Sequence, residues 1–336
     1  MAKAPMQIKN DYKINLVASS IADFTNRGQA WEDKIKTVLN DLRDETGLKT
    51  LKELDQSKIE QYLESLQDRL ESGDLSGSAT STYISALNSI IEYVNEYRNT
   101  ELEKISAAAW ELSRGHQDFQ DRSVSEHAHQ DFLNWLHQKY ESTQNENYLA
   151  LAYSVELQRE FGLRARESFA LKIAEKEIGD TLSINKYDLP KNARSREIEI
   201  RIDSQKEALK AAQTFAREHG WKSLIAPNMS LKEWKTFAYS CVQEFRQATG
   251  HSDYHFHGER HAYAHSLYFS LWEGKTGYKV ECPVVVGLEK QEWLSYAAEK
   301  TSMDVENIKE IDKEIRLEVS KSLGHNRIDI TRTYLG

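Results

Sequence analysis

Four short segments, far apart in the chain, carry side chains suited to chemistry at a phosphate. In GLRARES, Arg164 follows a glycine and Glu167 stands three residues later, where a carboxylate can orient a guanidinium. In KNARSREIEI, Lys191, Arg194 and Arg196 crowd one turn. In HFHGERHAYAH, His257 and Arg260 are three apart and share a helix face. In SLGHNRIDITRTY, His325 precedes Tyr334 by nine residues. Taken singly, each has a plain structural reading: a solvated ion pair, an exposed turn, packed histidines, a packing tyrosine. Together they supply forked cations, imidazole donors, an ammonium acid and a phenol nucleophile, which is what attack on a phosphodiester requires.

A competing chemistry rests on His257, His261 and His265, spaced by four like metal ligands on one helix face, with His251 and His255 nearby. No HExxH carboxylate accompanies them, no cysteine is close, and Arg260 would set a cation beside the ion. The reading therefore assigns no metal and no cofactor, and His261 and His265 to packing and local hydrogen bonds.

Elements must exist to hold these groups. Trp31, Ile35, Val38, Leu39 and Leu42 recur at helical spacing; Ser57 and Glu60 have capping-box spacing ahead of Ile59, Tyr62, Leu63, Leu66 and Leu70; Tyr83, Leu87, Ile90, Ile91 and Val94 mark a third helix. Residues from about 20 to 112 thus read as a helical bundle. The polar stretch SRGHQDFQDRSVS places a linker at 116–124, between an N-terminal domain (1–115) and a larger one (125–336). A helix over about 146–161 runs to Gly162, placed to end it in a left-handed cap. Leu182 and Ile184, then Ile198, Ile200 and Ile202, alternate with polar residues across a polar turn, which predicts a β-hairpin. The fold class expected is mainly α with a small antiparallel β-sheet.

The two cysteines, Cys241 and Cys282, lack CxxC spacing, and no apolar run or leader-like N-terminus is seen, so a cytoplasmic protein without a membrane partner is expected. The net charge of −9 runs against a nucleic-acid partner. Lysines and arginines number 14 against 20 acidic residues in 1–120, and 30 against 33 in 121–336, so phosphate binding would need cations gathered on one face.

On these motifs the chain resembles the tyrosine recombinase, or phage integrase, family. GLRARE is similar to the family's GLR-x-x-E box, KNARSREIEI to its lysine hairpin, HGERHAYA to its H-x-x-R-H box, and LGHNRIDITRTY to its LGH box with the tyrosine nine residues on. The resemblance implies six catalytic residues, Arg164, Lys191, His257, Arg260, His325 and Tyr334, with Glu167 in support and Arg194 and Arg196 contacting DNA. It implies a helical core-binding (SAM-like) domain, to which ATSTYISALNSIIEYV is similar, and a mixed α+β catalytic domain. It also implies strand cleavage and rejoining through a 3′-phosphotyrosyl intermediate without metal, at a double-stranded DNA site, by a homo-tetramer at synapsis, with DNA-bending or directionality factors as further partners and a bacterial nucleoid location. Integration or excision of a mobile element is the outcome expected. A chromosome-dimer resolvase, a type IB topoisomerase-like enzyme and a catalytically silent DNA-binding regulator are the alternatives; the last should have lost one of the six groups, and none is missing.

Two departures stand out. Arg260 and His325 lie 65 residues apart, so about 272–312 reads as an insert of the kind carried by mobile-element integrases. Only Leu335 and Gly336 follow Tyr334, where many relatives dock a longer tail on a neighbour; the insert is expected to supply that contact.

Overall fold

The computed structural model describes residues 4–71, 74–110, 112, 120–185, 195–325, 328 and 331–336. It is mainly helical with one two-stranded antiparallel sheet. The chain divides into two compact units, Met1–Asp118 with Lys232–Gln243, and Phe119–Leu231 with Glu244–Gly336. The linker expected at 116–124 lies outside the described residues over 116–119.

The first unit holds α1 (Asp11–Phe24), α2 (Gln29–Thr46), α3 (Gln56–Glu71) and α4 (Gly77–Arg98). The stripes read from the sequence point inward: Ile35, Val38, Leu39 and Leu42 of α2, Ile59, Tyr62, Leu63 and Leu66 of α3, and Leu87, Ile90, Ile91 and Val94 of α4 share one core. The bundle begins before the start expected at about residue 20, because α1 adds Ile14, Val17 and Ile21 to that core. The start of α3 also differs. Asp55 Oδ1 accepts the Lys58 N–H at 2.9 Å, so Asp55 occupies the capping place expected of Ser57, whose hydroxyl is buried inside the first turn.

The second unit opens on α5 (Glu126–Thr143), capped by Ser125 through the Ala128 N–H at 3.1 Å, and α6 (Asn147–Phe161). Gly162 ends α6 at φ +59°, and a Cβ there would stand 2.3 Å from a ring carbon of Tyr263, so the position admits only glycine. After α7 (Ala165–Ala170), strands β1 (Thr181–Ile184) and β2 (Arg196–Glu199) pair with Leu182 opposite Ile198 and Ile184 opposite Arg196. The alternation expected to run on to Ile202 stops sooner: Ile202 is exposed, at the N-cap of α8 (Asp203–Glu218). Next in the chain come α9 (Leu231–Thr249), whose stretch Lys232–Gln243 belongs to the first unit, and α10 (Phe256–Thr276). Residues Phe256, Gly258, Glu259, Arg260, His261 and Tyr263 of α10 are all buried, so this helix has core on more than one face.

The segment read as an insert is folded. It comprises the end of α10, α11 (Pro283–Val286), α12 (Lys290–Thr301) and the first turns of α13 (Val305–Ser322); α14 (Thr331–Leu335) ends the chain. Tyr268, Trp272 and Trp293 form an aromatic cluster with centroids 6.2–6.5 Å apart, and the Trp293 indole N–H donates to the Glu281 carbonyl at 2.8 Å. Replacing Trp293 by Ala should therefore lower stability by about 3–5 kcal/mol. Urea unfolding measures it; a loss under about 1 kcal/mol would mean that α12 does not contribute to the cooperative core. Among the described residues no helix is long and apolar enough to cross a membrane.

Candidate active site

In the second unit Arg260 stands in the second turn of α10 and is fully buried. A buried guanidinium must spend its donors on acceptors. Here Nη1 donates to the Gly162 carbonyl, Nη2 to the Leu323 carbonyl at 2.7 Å, and Nε to the Tyr334 hydroxyl at 3.0 Å. Nη2 also meets His325 Nε2 at 3.1 Å. The C-cap of α6, the C-cap of α13 and the nucleophile candidate on α14 are thus gathered on one side chain.

Arg164, at the N-cap of α7, approaches the same imidazole, its Nη2 lying 3.4 Å from His325 Nε2. Guanidinium nitrogens only donate, so in both contacts His325 Nε2 is the acceptor. Arg164 is itself held by Glu167, which takes its Nη1 at 3.1 Å and its backbone N–H at 3.0 Å.

Glu167 has a second partner that sequence reasoning missed. Arg196, expected to reach DNA from the hairpin turn, instead points inward: both terminal nitrogens fork onto the Glu167 carboxylate at 2.9 and 2.6 Å, and Nε donates to the Ser322 carbonyl at 3.1 Å. Its side chain is only 5% exposed. The reason is register, since opposite Ile184 the Arg196 side chain is carried to the covered face of the hairpin. Lys191 and Arg194, the other basic residues of that turn, lie outside the described residues.

Burial by itself would push the Glu167 carboxyl up, but the guanidiniums of Arg196 and Arg164 outweigh it and hold the group well below the usual carboxylate range. A depressed folded value adds stability above the unfolded value of about 4.3, which is lost as pH falls toward the folded one. Glu167→Gln should therefore cost about 3–5 kcal/mol at pH 7, because two guanidiniums lose their shared anion, and the gap to wild type should narrow below about pH 4. Urea unfolding at the two pH values tests this; a gap independent of pH would contradict the ion-pair account.

Tyr334 is buried and ringed by imidazoles. His261 and His257 lie 4.7 and 5.7 Å from its ring, centroid to centroid, and His265 Nε2 stands 2.7 Å from the Tyr334 carbonyl oxygen. Burial, then the neighbouring His261, lowers His265 to about 4, so at neutral pH it is an uncharged donor to that carbonyl. The histidine row at spacing four thus seats the α14 tyrosine. Behind it Glu259, also unforeseen, is buried between His129 Nδ1 and Arg159 Nη1, each at 3.1 Å. The signal for Glu259 was its place beside Arg260 on a helix buried on more than one face.

Five groups singled out in the sequence, Arg164, His257, Arg260, His325 and Tyr334, therefore meet in one place, with Glu167 behind them. Forked cations and an imidazole converging on a phenol can neutralise an oxyanion while that phenol acts as nucleophile.

No family model matches this chain, and no curated protein does. Among solved structures, it is similar to the XerH site-specific recombinase bound to palindromic difH substrate in a post-cleavage complex: 14% identity over 97% of this chain and 81% of that one, TM-score 0.42. A XerA recombinase matches at 11% identity over 97% of this chain and 94% of that one, TM-score 0.39. A lambda integrase dimer bound to a COC′ core site matches at 15% identity over 97% of this chain and 77% of that one, TM-score 0.39. By their names, all three solved relatives are recombinases or integrases.

Proposed function

We propose that the protein is a site-specific DNA recombinase of the tyrosine type, cutting and rejoining strands through a 3′-phosphotyrosyl intermediate. The observation that carries this reading is the hydrogen bond from Arg260 to the Tyr334 hydroxyl, in a cluster shared with His325 and Arg164.

The chemistry follows from charge. Attack on a phosphodiester concentrates negative charge on the non-bridging oxygens, and Arg164 and Arg260 offer forked donors to them from a folded scaffold. His257 and His325 add hydrogen bonds. The Tyr334 oxygen forms a bond to phosphorus as the bond to the 5′ oxygen breaks, and Lys191 gives that oxygen its proton. A 5′-hydroxyl from another strand reverses the step by displacing the tyrosine. The ester energy is kept in the covalent link, so neither ATP nor a metal enters. Arg260 and Tyr334 are buried as they stand, so DNA must shift α14 before the phosphate reaches them.

Two duplexes exchanged in this way need four active sites, hence a tetramer assembled on DNA, with integration or excision of a mobile element as the outcome and DNA-bending factors steering it. Binding through phosphates should weaken steeply with salt. The test is a nicked suicide duplex carrying the end junction of the element that encodes the chain. A covalent adduct on a denaturing gel, with the nucleotide mapped to the Tyr334 peptide, is expected; specific binding without adduct would favour a DNA-binding regulator.

A further inference from the structure

His127 and Asp131 stand one turn apart on α5, and His251 lies in the turn between α9 and α10. Their ligand atoms all lie within 4.8 Å of one another, and among the described residues this is the His/Cys/Asp/Glu set that converges in this way. Asp131 Oδ2 is 2.8 Å from His251 Nε2 and 3.4 Å from His127 Nε2. The two imidazoles meet edge-on with centroids 5.6 Å apart, and Phe245 stacks flat on His251 at 5.4 Å, which fixes that ring. Metal bonds of about 2.1 Å in a tetrahedral shell set ligand atoms about 3.4 Å apart. The His127 edge already has that length, and the His251 edge needs to open by about half an ångström once the ion replaces the hydrogen bond. His127 is 80% exposed, so an ion there keeps a face open to water.

We propose that His127, Asp131 and His251 bind one divalent transition-metal ion, and that it staples α5 to the segment entering α10. Two imidazole nitrogens and one carboxylate oxygen, with no thiolate, suit Zn2+ rather than Mg2+ or Ca2+, which take oxygen shells. This set is separate from the row His257, His261 and His265, which lies around Tyr334. His251 precedes His257 by six residues and Arg260 by nine, so the staple steadies the entry to the helix that carries them. The inference does not depend on the recombinase reading.

The test is titration of the chelator-treated full-length chain with ZnCl2 by calorimetry, repeated with Co2+ to record its visible absorption. One Zn2+ per chain is expected, with a rise in melting temperature. His127→Asn and Asp131→Asn should each weaken binding about tenfold or more and abolish that rise, while His137→Asn, an exposed histidine of the same helix, should leave both unchanged. Circular dichroism confirms that each variant is folded. Absence of saturable binding at millimolar Zn2+ would overturn the proposal. So would stoichiometric binding that survives in His127→Asn and disappears in His257→Asn, which would put the ion on the histidines at Tyr334.

Discussion

Tyr334→Phe is expected to abolish the covalent protein–DNA adduct while leaving specific DNA binding within a factor of a few. The hydroxyl is the sole atom removed, and it is the one to which Arg260 Nε donates at 3.0 Å. The ring stays among His257 and His261, so the packing of α14 has no reason to change. The backbone contact from His265 to the Tyr334 carbonyl is also kept. Removing a nucleophile from an enzyme typically lowers turnover by about 10^4-fold or more, and no neighbouring hydroxyl should substitute. Suicide-substrate trapping on a denaturing gel measures the adduct, and mobility shift measures binding. An adduct at wild-type rate in Tyr334→Phe would mean that another residue attacks. Loss of binding along with the adduct would mean that the hydroxyl does structural work instead.

Arg260→Lys should produce the second largest effect, through geometry rather than charge. The guanidinium reaches the Gly162 carbonyl, the Leu323 carbonyl, the Tyr334 hydroxyl and His325 from one plane, and an ammonium on a single stem cannot span that set. Two buried carbonyls then risk losing their donor, at about 1–3 kcal/mol of stability each. Cleavage should fall about 10^2- to 10^3-fold, since a forked donor to the charge formed in the transition state is lost. Urea unfolding and single-turnover cleavage on the same preparation separate the two effects. Cleavage near the wild-type rate would show that Arg260 serves only to tie the caps of α6 and α13 together.

Periodicity exposed much of the fold because burial selects apolar residues at the helical or strand spacing. The inward stripes of α2, α3 and α4 and the pairing of Leu182 with Ile198 were all legible for that reason. Helix α1 obeys the same period, its buried Ile14, Val17, Ala18 and Ile21 standing at i, i+3, i+4 and i+7, and it carries the bundle back beyond the start expected at about residue 20. The cap of α3 went to Asp55 rather than Ser57: both residues, two apart, had cap chemistry, and the helix starts at Gln56, which leaves Ser57 inside its first turn. The aromatic cluster of Tyr268, Trp272 and Trp293 was hidden, since its members come from α10 and α12.

For the site, residue type and spacing determined which groups were candidates, because a phenol, an imidazole and a guanidinium differ in chemistry wherever they sit. The sequence by itself thus determined the inventory of candidates: Arg164, Glu167, Lys191, His257, Arg260, His325 and Tyr334, drawn from segments up to 170 residues apart. Only the tertiary structure decided their assignments. It turned Arg196 from the hairpin onto Glu167, set His261 and His265 around Tyr334, and paired Glu259 with His129 and Arg159. It also joined His251 to His127 and Asp131 instead of to the histidines of its own stretch. Such pairings cross long stretches of chain, and a side chain's partner depends on which faces packing brings together, a property that local spacing does not carry.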